Sequence, residues 1–251
     1  MLMFEQLLEK LSPVKSRQHS FCSAIILAAG KGRRMESSVN KVYIDLLGKK
    51  TIVRTLESFQ QSPFIDEIIL VVGENDITYC GFEVIDKLFF TKVKEVVGGG
   101  VSRQESVYNG LQAVSKDAKL ISIHDGARPL VTEEILERSI QGALEFGAVT
   151  TGVPVKDTIK VINNEGYVTD TPDRNTLWAV QTPQVFKRNI IFEAHKQGRE
   201  LGIEATDDAM LVENLGHRIK IIEGSYENIK LTTPEDAIIA RAIINDREIG
   251  Y

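Results

Sequence analysis

The chain has 251 residues, of which 43% are hydrophobic and 26% are charged, a composition typical of a globular protein with a hydrophobic core. Its net charge of −5 argues against a nucleic acid or an anionic membrane surface as the main partner, and no apolar run approaches the roughly 20 residues of a membrane-spanning helix. The two cysteines form no CxxC motif and the four histidines are scattered, so we expect a reduced, cytoplasmic protein without a zinc site.

Residues 1–22 are predicted to be an N-terminal extension. Apolar residues at helical spacing run from Phe4 to Leu11, and Ser12-Pro13 ends the pattern. Glu5 and Glu9 argue against a transit peptide, and the stretch lacks the apolar segment of a secretory signal. We therefore expect one domain over residues 23–245, and the sequence assigns no function to the extension.

From Ser23 onward, short β-rich runs alternate with segments of helical period. This alternation predicts an α/β fold, a Rossmann-like and mostly parallel sheet with helices on both faces. The predicted strands are 24–28, 68–72, 93–97 and 120–124, and the predicted helices are 51–59, 103–114 and 132–146.

A β-hairpin is predicted to interrupt the alternation. Residues 158–162 and 167–170 have strand character, and the turn 163–166 (Asn-Asn-Glu-Gly) separates them. A hairpin inserted in such a fold has no helix to cover it, so we expect residues of about 151–175 to form a projecting arm or part of an interface. Helices at 187–199 and 206–215, a strand at 218–222 and a helix beginning at Thr233-Pro234 follow.

The strongest local signal is the loop after the first strand, AAGKGRRM at 28–35. A loop at the carboxyl end of a strand is where ligands bind in such sheets. Small residues allow backbone N–H groups to approach a phosphate chain, and nearby cations can hold it. The P-loop pattern is absent, and Met35 replaces the third glycine of the dinucleotide fingerprint. We therefore predict a different phosphate-binding loop, formed by Ala28, Ala29, Gly30, Lys31, Gly32, Arg33 and Arg34, with Lys41 within reach.

Two further loops carry weaker signals. In HDGARP at 124–129, Asp125 is placed to bind Mg²⁺ or a hydroxyl and Arg128 to bind phosphate, although a simple turn with a surface cation remains an alternative. His124 is predicted to be a packed histidine rather than a catalytic base. The glycines 98–100, followed by Arg103 and Ser106, permit backbone contact with a flat ligand such as a base, or form a flexible connector.

Cations outnumber the candidate acids and bases, and the sequence shows neither a Ser-His-Asp arrangement nor a cysteine in a reactive context. This balance favours phosphoryl-type transfer, in which catalysis consists of positioning and of stabilising charge on phosphate. The cations are Arg33, Arg34, Lys41, Arg128, Arg174 and Lys230.

These motifs, taken in order, resemble the 2-C-methyl-D-erythritol 4-phosphate cytidylyltransferases of the non-mevalonate isoprenoid pathway. The resemblance covers residues 23–242 and implies a fold of the nucleotide-diphospho-sugar transferase type. The matching segments are AAGKGRRM, NK at 40–41, the glycine-rich stretch with Arg103 and Ser106, HDGARP, PVKDT at 154–158, DRN at 173–175, TPQ at 182–184 and NIKLTTPED at 228–236.

The resemblance implies transfer of CMP from CTP to a phosphorylated polyol, with Mg²⁺ held mainly by the triphosphate and Asp125 near it. Arg34 and Lys41 would stabilise the triphosphate, and Arg174 and Lys230 would position the attacking phosphate. The hairpin would be a homodimer arm that brings Arg174 to the partner's site. Besides the loop at 28–34 and Lys41, nucleotide-binding residues would be Gly100, Val101, Ser106 and Asp125; acceptor-binding residues would be Asp125, Arg128, Thr158, Arg174, Thr182 and Lys230.

Three alternatives remain open. A ribitol 5-phosphate cytidylyltransferase would share the fold, but those relatives tend to carry Ala-Gly-Gly at 28–30, where this chain has Ala-Ala-Gly. A non-catalytic nucleotide-binding protein is opposed by the joint presence of Arg34, Lys41, Arg174 and Lys230. An NAD-dependent oxidoreductase is opposed by Met35. The sequence departs from the family pattern at Asn40 and Val42, where Pro and Gln are usual, and at Val101, where Asp is usual.

Overall fold

The structure is a computed structural model that describes residues 20–30 and 41–249. Eleven strands and six longer helices are found in the described residues. The strands are β1 (Cys22–Leu27), β2 (Asp45–Leu46), β3 (Lys49–Lys50), β4 (Glu67–Val72), β5 (Val93–Gly98), β6 (Leu120–Asp125), β7 (Ala148–Pro154), β8 (Val161–Ile162), β9 (Val168–Asp170), β10 (Trp178–Lys187) and β11 (Lys220–Glu223). The helices are α1 (Thr51–Gln61), α2 (Arg103–Ala113), α3 (Glu133–Phe146), α4 (Arg188–Glu200), α5 (Asp208–Asn214) and α6 (Pro234–Ile249).

Seven of these strands form one sheet in the order β11-β7-β10-β6-β1-β4-β5. Every neighbouring pair is parallel except those of β10, which runs antiparallel to both β6 and β7. Strand β1 lies between β4 and β6, and its last residue, Leu27, is level with Val71 and Asp125. The chain therefore reverses its winding direction at β1, and in such sheets ligands bind in the crevice at the carboxyl ends of the strands on either side of this point.

Side chains of the central strands alternate between two hydrophobic cores. Ala24 and Ile26 of β1 pack into one core with α1, α3 and α6, and Ile25 packs into the other with α2, α4 and α5. Because both faces of β1, β4 and β6 are covered, these strands are nearly continuous apolar runs, as expected for a parallel sheet. The expected α/β fold, mostly parallel with helices on both faces, is confirmed.

Two long strands of the sheet, β7 and β10, have no counterpart among the predicted elements. The buried part of strand β10 contains Thr182, Pro183 and Gln184, and this composition does not predict a strand. Tertiary hydrogen bonds compensate: Gln184 donates to the Thr150 hydroxyl at 2.9 Å. Strand β7 also corrects the predicted arm boundary, because residues 151–154 belong to the central sheet.

The hairpin arm consists of β8 and β9, which pair antiparallel. Gly166 has a φ of +87°, the left-handed conformation that the predicted turn requires. The side chains of both strands are exposed, so the described residues of this chain cover the apolar residues of the arm only in part. None of the helices within the described ranges has the length and apolarity to cross a lipid bilayer. The predicted extension lies almost entirely outside the described residues.

Candidate active site

A cleft opens at the carboxyl ends of β1, β4, β5 and β6. The loops that follow these strands supply most of its walls, and the segment at Lys41 and the loop before α6 close it. Its described lining is Leu27, Ala29, Gly30, Lys41, Val42, Gly73, Glu74, Asn75, Asp76, Gly99, Gly100, Val101, Ser102, Arg103, Glu105, Ser106, Asn109, Asp125, Ala127 and Lys230.

The loop after β1 enters the cleft through backbone contacts. The N–H of Ala28 donates to the Val71 carbonyl at 2.7 Å, which ties the start of the loop to β4. Ala28 is buried, and exposure increases through Ala29 to Gly30, which is open to solvent. Lys31, Gly32, Arg33 and Arg34 lie outside the described residues, so their predicted contacts stay predictions. Lys41, the first described residue after this segment, lines the cleft, and its predicted role stays a prediction.

The loop after β5 forms the opposite wall. A Cβ atom on Gly99 would lie 2.3 Å from the Cβ of Ala29, so the two loops meet too closely for any residue but glycine at this position. Ser102 caps α2 by accepting from the Glu105 N–H at 3.0 Å. The Ser106 hydroxyl accepts from the Gly100 N–H at 3.1 Å, so Ser106 shapes the loop. Gly100 and Val101 border the cleft, and their predicted contacts with a nucleotide stay predictions.

At the end of β6, the Asp125 carboxylate is surrounded by three cations. Lys230 Nζ lies 2.7 Å from its Oδ2, and the Nε atoms of Arg128 and Arg103 lie 3.8 Å from Oδ2 and 3.6 Å from Oδ1. Burial alone would raise the pKa of Asp125, but the charges of Lys230 and Arg103 outweigh it and hold that pKa well below its usual range. Asp125 therefore remains a carboxylate at any pH at which the protein works.

A second layer of polar side chains holds Asp125 in place. The Thr182 hydroxyl accepts from the Asp125 N–H at 3.0 Å and contacts His124 Nδ1 at 3.1 Å. Arg128 Nη1 donates to the Asn228 carbonyl at 2.7 Å, and Asn228 Nδ2 donates to the Thr182 carbonyl at 2.9 Å. The motifs HDGARP, TPQ and NIK therefore form one hydrogen-bonded unit that joins β6, β10 and the loop bearing Lys230.

His124 lies beneath the cleft and packs against the Phe59 ring. It is fully buried, and burial lowers its pKa to about 4, so its imidazole is neutral near pH 7. His124 Nε2 contacts the Arg128 carbonyl at 3.1 Å. The structure therefore agrees with the prediction of a packed histidine.

Not all predicted acceptor residues line the cleft. Thr158 and Arg174 are exposed residues of the arm region, and Arg174 Nη1 donates to the Lys156 carbonyl at 3.0 Å. Thr182 and Arg128 lie behind Asp125, where their hydrogen bonds serve the protein itself. Within the described part of the chain, only Asp125 and Lys230 of the predicted acceptor set belong to the lining.

The sequence prediction missed part of the lining. Arg103 was noted in a motif but given no role, although it faces Asp125. Glu74, Asn75 and Asp76 follow β4 directly, so the rule that ligands bind at the carboxyl ends of parallel strands could have found them. Asn109 projects from α2, and only the strand order places it at the cleft.

The residues present suit a divalent cation that arrives with a substrate. Over residues 20–30 and 41–249, no group of three His, Cys, Asp or Glu side chains could hold a metal ion. Asp125 supplies one carboxylate, and its three cationic neighbours neutralise much of the negative charge that could attract a metal ion. A divalent cation here would therefore take most of its ligands from the phosphate oxygens of a substrate, and Asp125 could add one carboxylate oxygen.

Comparison with known proteins agrees with this geometry. The family profile described as 2-C-methyl-D-erythritol 4-phosphate cytidylyltransferase (IspD) matches residues 22–246. The protein of that name from Alkaliphilus oremlandii is 50% identical over 228 residues, which are 91% of this chain and 97% of the relative. Its counterpart from Caldanaerobacter subterraneus subsp. tengcongensis is 46% identical over 222 residues, 88% of this chain and 98% of the relative.

Solved structures give the same result. The crystal structure of the 4-diphosphocytidyl-2C-methyl-D-erythritol synthase from Anaerococcus prevotii has a TM-score of 0.80 and 33% sequence identity, and the match covers 91% of this chain and 100% of that one. The 2-C-methyl-D-erythritol 4-phosphate cytidylyltransferase from Thermus thermophilus has a TM-score of 0.74 at 30% identity, covering 90% of this chain and 100% of that one. The family profile matches, the relatives are matched over nearly their whole length and the fold is shared, so the chain belongs to the 2-C-methyl-D-erythritol 4-phosphate cytidylyltransferase family.

Proposed function

We propose that this enzyme transfers CMP from CTP to 2-C-methyl-D-erythritol 4-phosphate in isoprenoid precursor biosynthesis. An oxygen of the acceptor phosphate attacks the α-phosphorus of CTP and forms a new phosphoanhydride bond. The bond between the α- and β-phosphates breaks, and pyrophosphate leaves with its electron pair. The products are 4-CDP-2-C-methyl-D-erythritol and pyrophosphate.

The observation that carries the proposal is the pairing of Lys230 with Asp125 in a cleft that Lys41 also lines. Lys41, together with Arg34, would stabilise the charge that develops on the triphosphate. Lys230 would hold the acceptor phosphate and orient it towards the α-phosphorus. Before the acceptor binds, the Asp125 carboxylate would hold the Lys230 ammonium group in place. The bound acceptor phosphate would then compete with Asp125 for this ammonium group.

The reaction needs no general base. A phosphate monoester has a second pKa of about 6 and is already largely ionised at neutral pH, so it needs orientation more than deprotonation. His124, the histidine nearest to Asp125 in sequence, is buried and hydrogen-bonded beneath the cleft. Mg²⁺ carried by the triphosphate would neutralise part of the phosphate charge, and Asp125 would be one carboxylate in contact with it.

We further propose that the enzyme is a homodimer that pairs through the arm. Arg174 is exposed on the arm region and lies outside the described lining of the cleft, which fits a role at the partner's site. Apolar side chains of the arm and of the start of β10 are also exposed, as expected for a surface that meets a second copy. The exposed apolar residues are Ile159, Val161, Ile162, Tyr167, Val168, Trp178 and Val180.

We assign the enzyme to the cytoplasm. Cys22 and Cys80 are buried free thiols, as expected for a protein that folds in a reducing compartment. The catalytic unit would be residues 23–245, with the arm inserted between β7 and β10.

Pyrophosphate release tests the proposal directly. The purified enzyme is mixed with CTP and Mg²⁺, and either methylerythritol 4-phosphate or ribitol 5-phosphate is supplied as the acceptor. We expect release only with methylerythritol 4-phosphate. A preference for ribitol 5-phosphate would retain the cytidylyltransfer but overturn the pathway, and release with neither acceptor would contradict catalysis of this reaction.

A further inference from the structure

A chain of charged side chains runs from the cleft into the second core. Asp125 Oδ1 lies 3.6 Å from Arg103 Nε, and Arg103 Nη1 lies 2.7 Å from Asp208 Oδ2. Asp208 Oδ1 in turn lies 2.9 Å from His195 Nε2. Asp208 and His195 are each 1% exposed and are not part of the described lining, so neither can touch a substrate in the cleft.

The position of Asp208 is fixed by strand β10. Gln184 Oε1 accepts from the Asp208 and Ala209 N–H groups at 3.1 and 3.3 Å, and Gln184 Nε2 donates to Asp207 Oδ2 at 2.8 Å. Asp207 caps the same helix by accepting from the Met210 N–H at 2.9 Å. The start of α5 is thus tied to the sheet, and Asp208 is held facing Arg103.

Both carboxylate oxygens of Asp208 are used. Burial opposes its charge, but the Arg103 guanidinium and the hydrogen bond from His195 outweigh burial and lower the pKa of Asp208. His195 Nδ1 has no hydrogen-bond partner among the described residues, so a proton there would be a buried donor without an acceptor. The tautomer with its proton on Nε2 fits this site, and it donates to Asp208.

Arg103 is the member of this chain that reaches the cleft. Its guanidinium stands between two carboxylates and contacts Asp208 about 1 Å more closely than Asp125. Without Asp208, the guanidinium would shift towards Asp125 and compete there with Lys230. The Lys230 ammonium group would then lose the fixed position that the proposed acceptor site needs.

We propose that Asp208, oriented by His195, is a positioning residue for cytidylyl transfer: it holds Arg103 so that Asp125 and Lys230 keep one arrangement in the cleft. This inference rests on the proposed function, because it assigns Lys230 to the acceptor phosphate. The proposal gives the buried pair of His195 on α4 and Asp208 on α5 a role in catalysis, whereas a purely structural ion pair would affect stability alone.

The test is steady-state kinetics of Asp208→Asn with CTP and methylerythritol 4-phosphate varied separately. We expect kcat to fall about tenfold or more and the KM for CTP to change less than about threefold, because Asp208 acts on Arg103, to which no contact with the nucleotide is assigned. Ser139→Ala is the matched control. It removes a buried hydroxyl that bonds to Thr151 on the opposite face of the sheet, and it should lower the urea midpoint without changing kcat.

A double-variant cycle separates positioning from stability. If Asp208 acts through Arg103, adding Asp208→Asn to Arg103→Ala should reduce kcat less than about twofold further. Independent effects would multiply and overturn the inference. Loss of wild-type turnover with this acceptor would instead overturn the proposed function, and the inference with it.

Two His195 variants keep the test decisive if Asp208→Asn does not fold. His195→Gln retains an N–H donor near the position of Nε2 and should keep kcat within about threefold of wild type. His195→Leu removes the donor and should lower kcat about as much as Asp208→Asn. Equal kcat values for the two variants, or a loss confined to the urea midpoint, would contradict the proposal.

Discussion

Asp125 and the cations around it show how single residues set the chemistry of the cleft. Lys230, Arg103 and Arg128 all lie within 4 Å of its carboxylate, so the local charge is positive although the whole chain carries −5. Cations gathered at one point of the cleft can attract the phosphate groups of a triphosphate and of a phosphate monoester, although the described lining also carries Glu74, Asp76 and Glu105. Because Asp125 is held ionised by these neighbours, this attraction changes little across the neutral pH range.

Lys41 is expected to act on the triphosphate, and its removal tests that role. Lys41→Ala should lower kcat by about 10²–10³-fold, the usual cost of losing one group that stabilises transition-state charge. The urea midpoint should stay near that of wild type. Lys49→Ala is the control, since Lys49 forms an exposed ion pair with Glu57 at 2.7 Å and should leave kcat unchanged. A Lys41→Ala enzyme with near-normal turnover would remove Lys41 from the mechanism.

The buried position of His124 predicts how the free energy of unfolding changes at acid pH. Burial lowers its pKa from 6.5 to about 4 in the folded protein, so the unfolded chain binds a proton more readily between these values. The neutral imidazole therefore stabilises the fold above pH 6.5, and this contribution, roughly 1–3 kcal/mol, is lost as the pH falls towards 4. Urea unfolding at pH 7.5 and 5 should show a smaller loss for His124→Gln than for wild type. His217→Gln, at an exposed position, should follow wild type, and equal losses for all three proteins would contradict this account.

At the scale of secondary-structure elements, most segments could be predicted from the sequence because one physical signal dominated each of them. Helix α1 was found from the spacing of Ile52, Val53 and Leu56, which all enter one core. Strand β10 could not be found, because Gln184 and Thr182 are polar side chains whose burial depends on partners far along the chain. The ion pair of Arg103 with Asp208 could not be predicted either, because the packing of α2 beside α5 depends on the tertiary fold and not on the local sequence.

Two glycines in helical segments should respond oppositely to alanine. A Cβ on Gly110 of α2 would lie 2.7 Å from Ile25 Cγ2 and 3.1 Å from Val71 Cγ2, both on buried strands. Gly110→Ala should therefore cost about 1–3 kcal/mol of unfolding free energy through overpacking. At Gly81, within the π-helical segment Cys80–Asp86, nothing in the described residues lies within 4 Å of an added Cβ. Gly81→Ala should raise the free energy of unfolding by roughly 0.5–1 kcal/mol. Urea unfolding of the two variants measures both changes. A stabilised Gly110→Ala protein would show that α2 packs less closely on β1 than described.

At the scale of the whole molecule, the strand order explains why distant motifs meet. Strands β1 and β6 are adjacent and parallel, so the loop at Ala28 and the HDGARP motif emerge at the same edge of the sheet. Antiparallel β10 then brings the TPQ motif alongside, and Asn228 joins the loop bearing Lys230 to it. The arm is the exception, because it leaves the sheet, and Arg174 in the arm region is not among the described residues that line this cleft.

Because Arg174 is not part of the described lining of its own cleft, complementation can test the shared dimer site. Lys230→Ala disables a subunit's own cleft, whereas Arg174→Ala should disable the cleft of its partner. In a heterodimer of the two variants, one cleft combines an intact Lys230 with the intact Arg174 of the other subunit, and the second cleft lacks both. Each homodimer should be almost inactive, and the heterodimer, purified through two different tags after co-expression, should recover about half of the wild-type rate per dimer. Arg174 acting within its own subunit would leave both clefts of the heterodimer defective, so a heterodimer as inactive as the two homodimers would exclude the shared site.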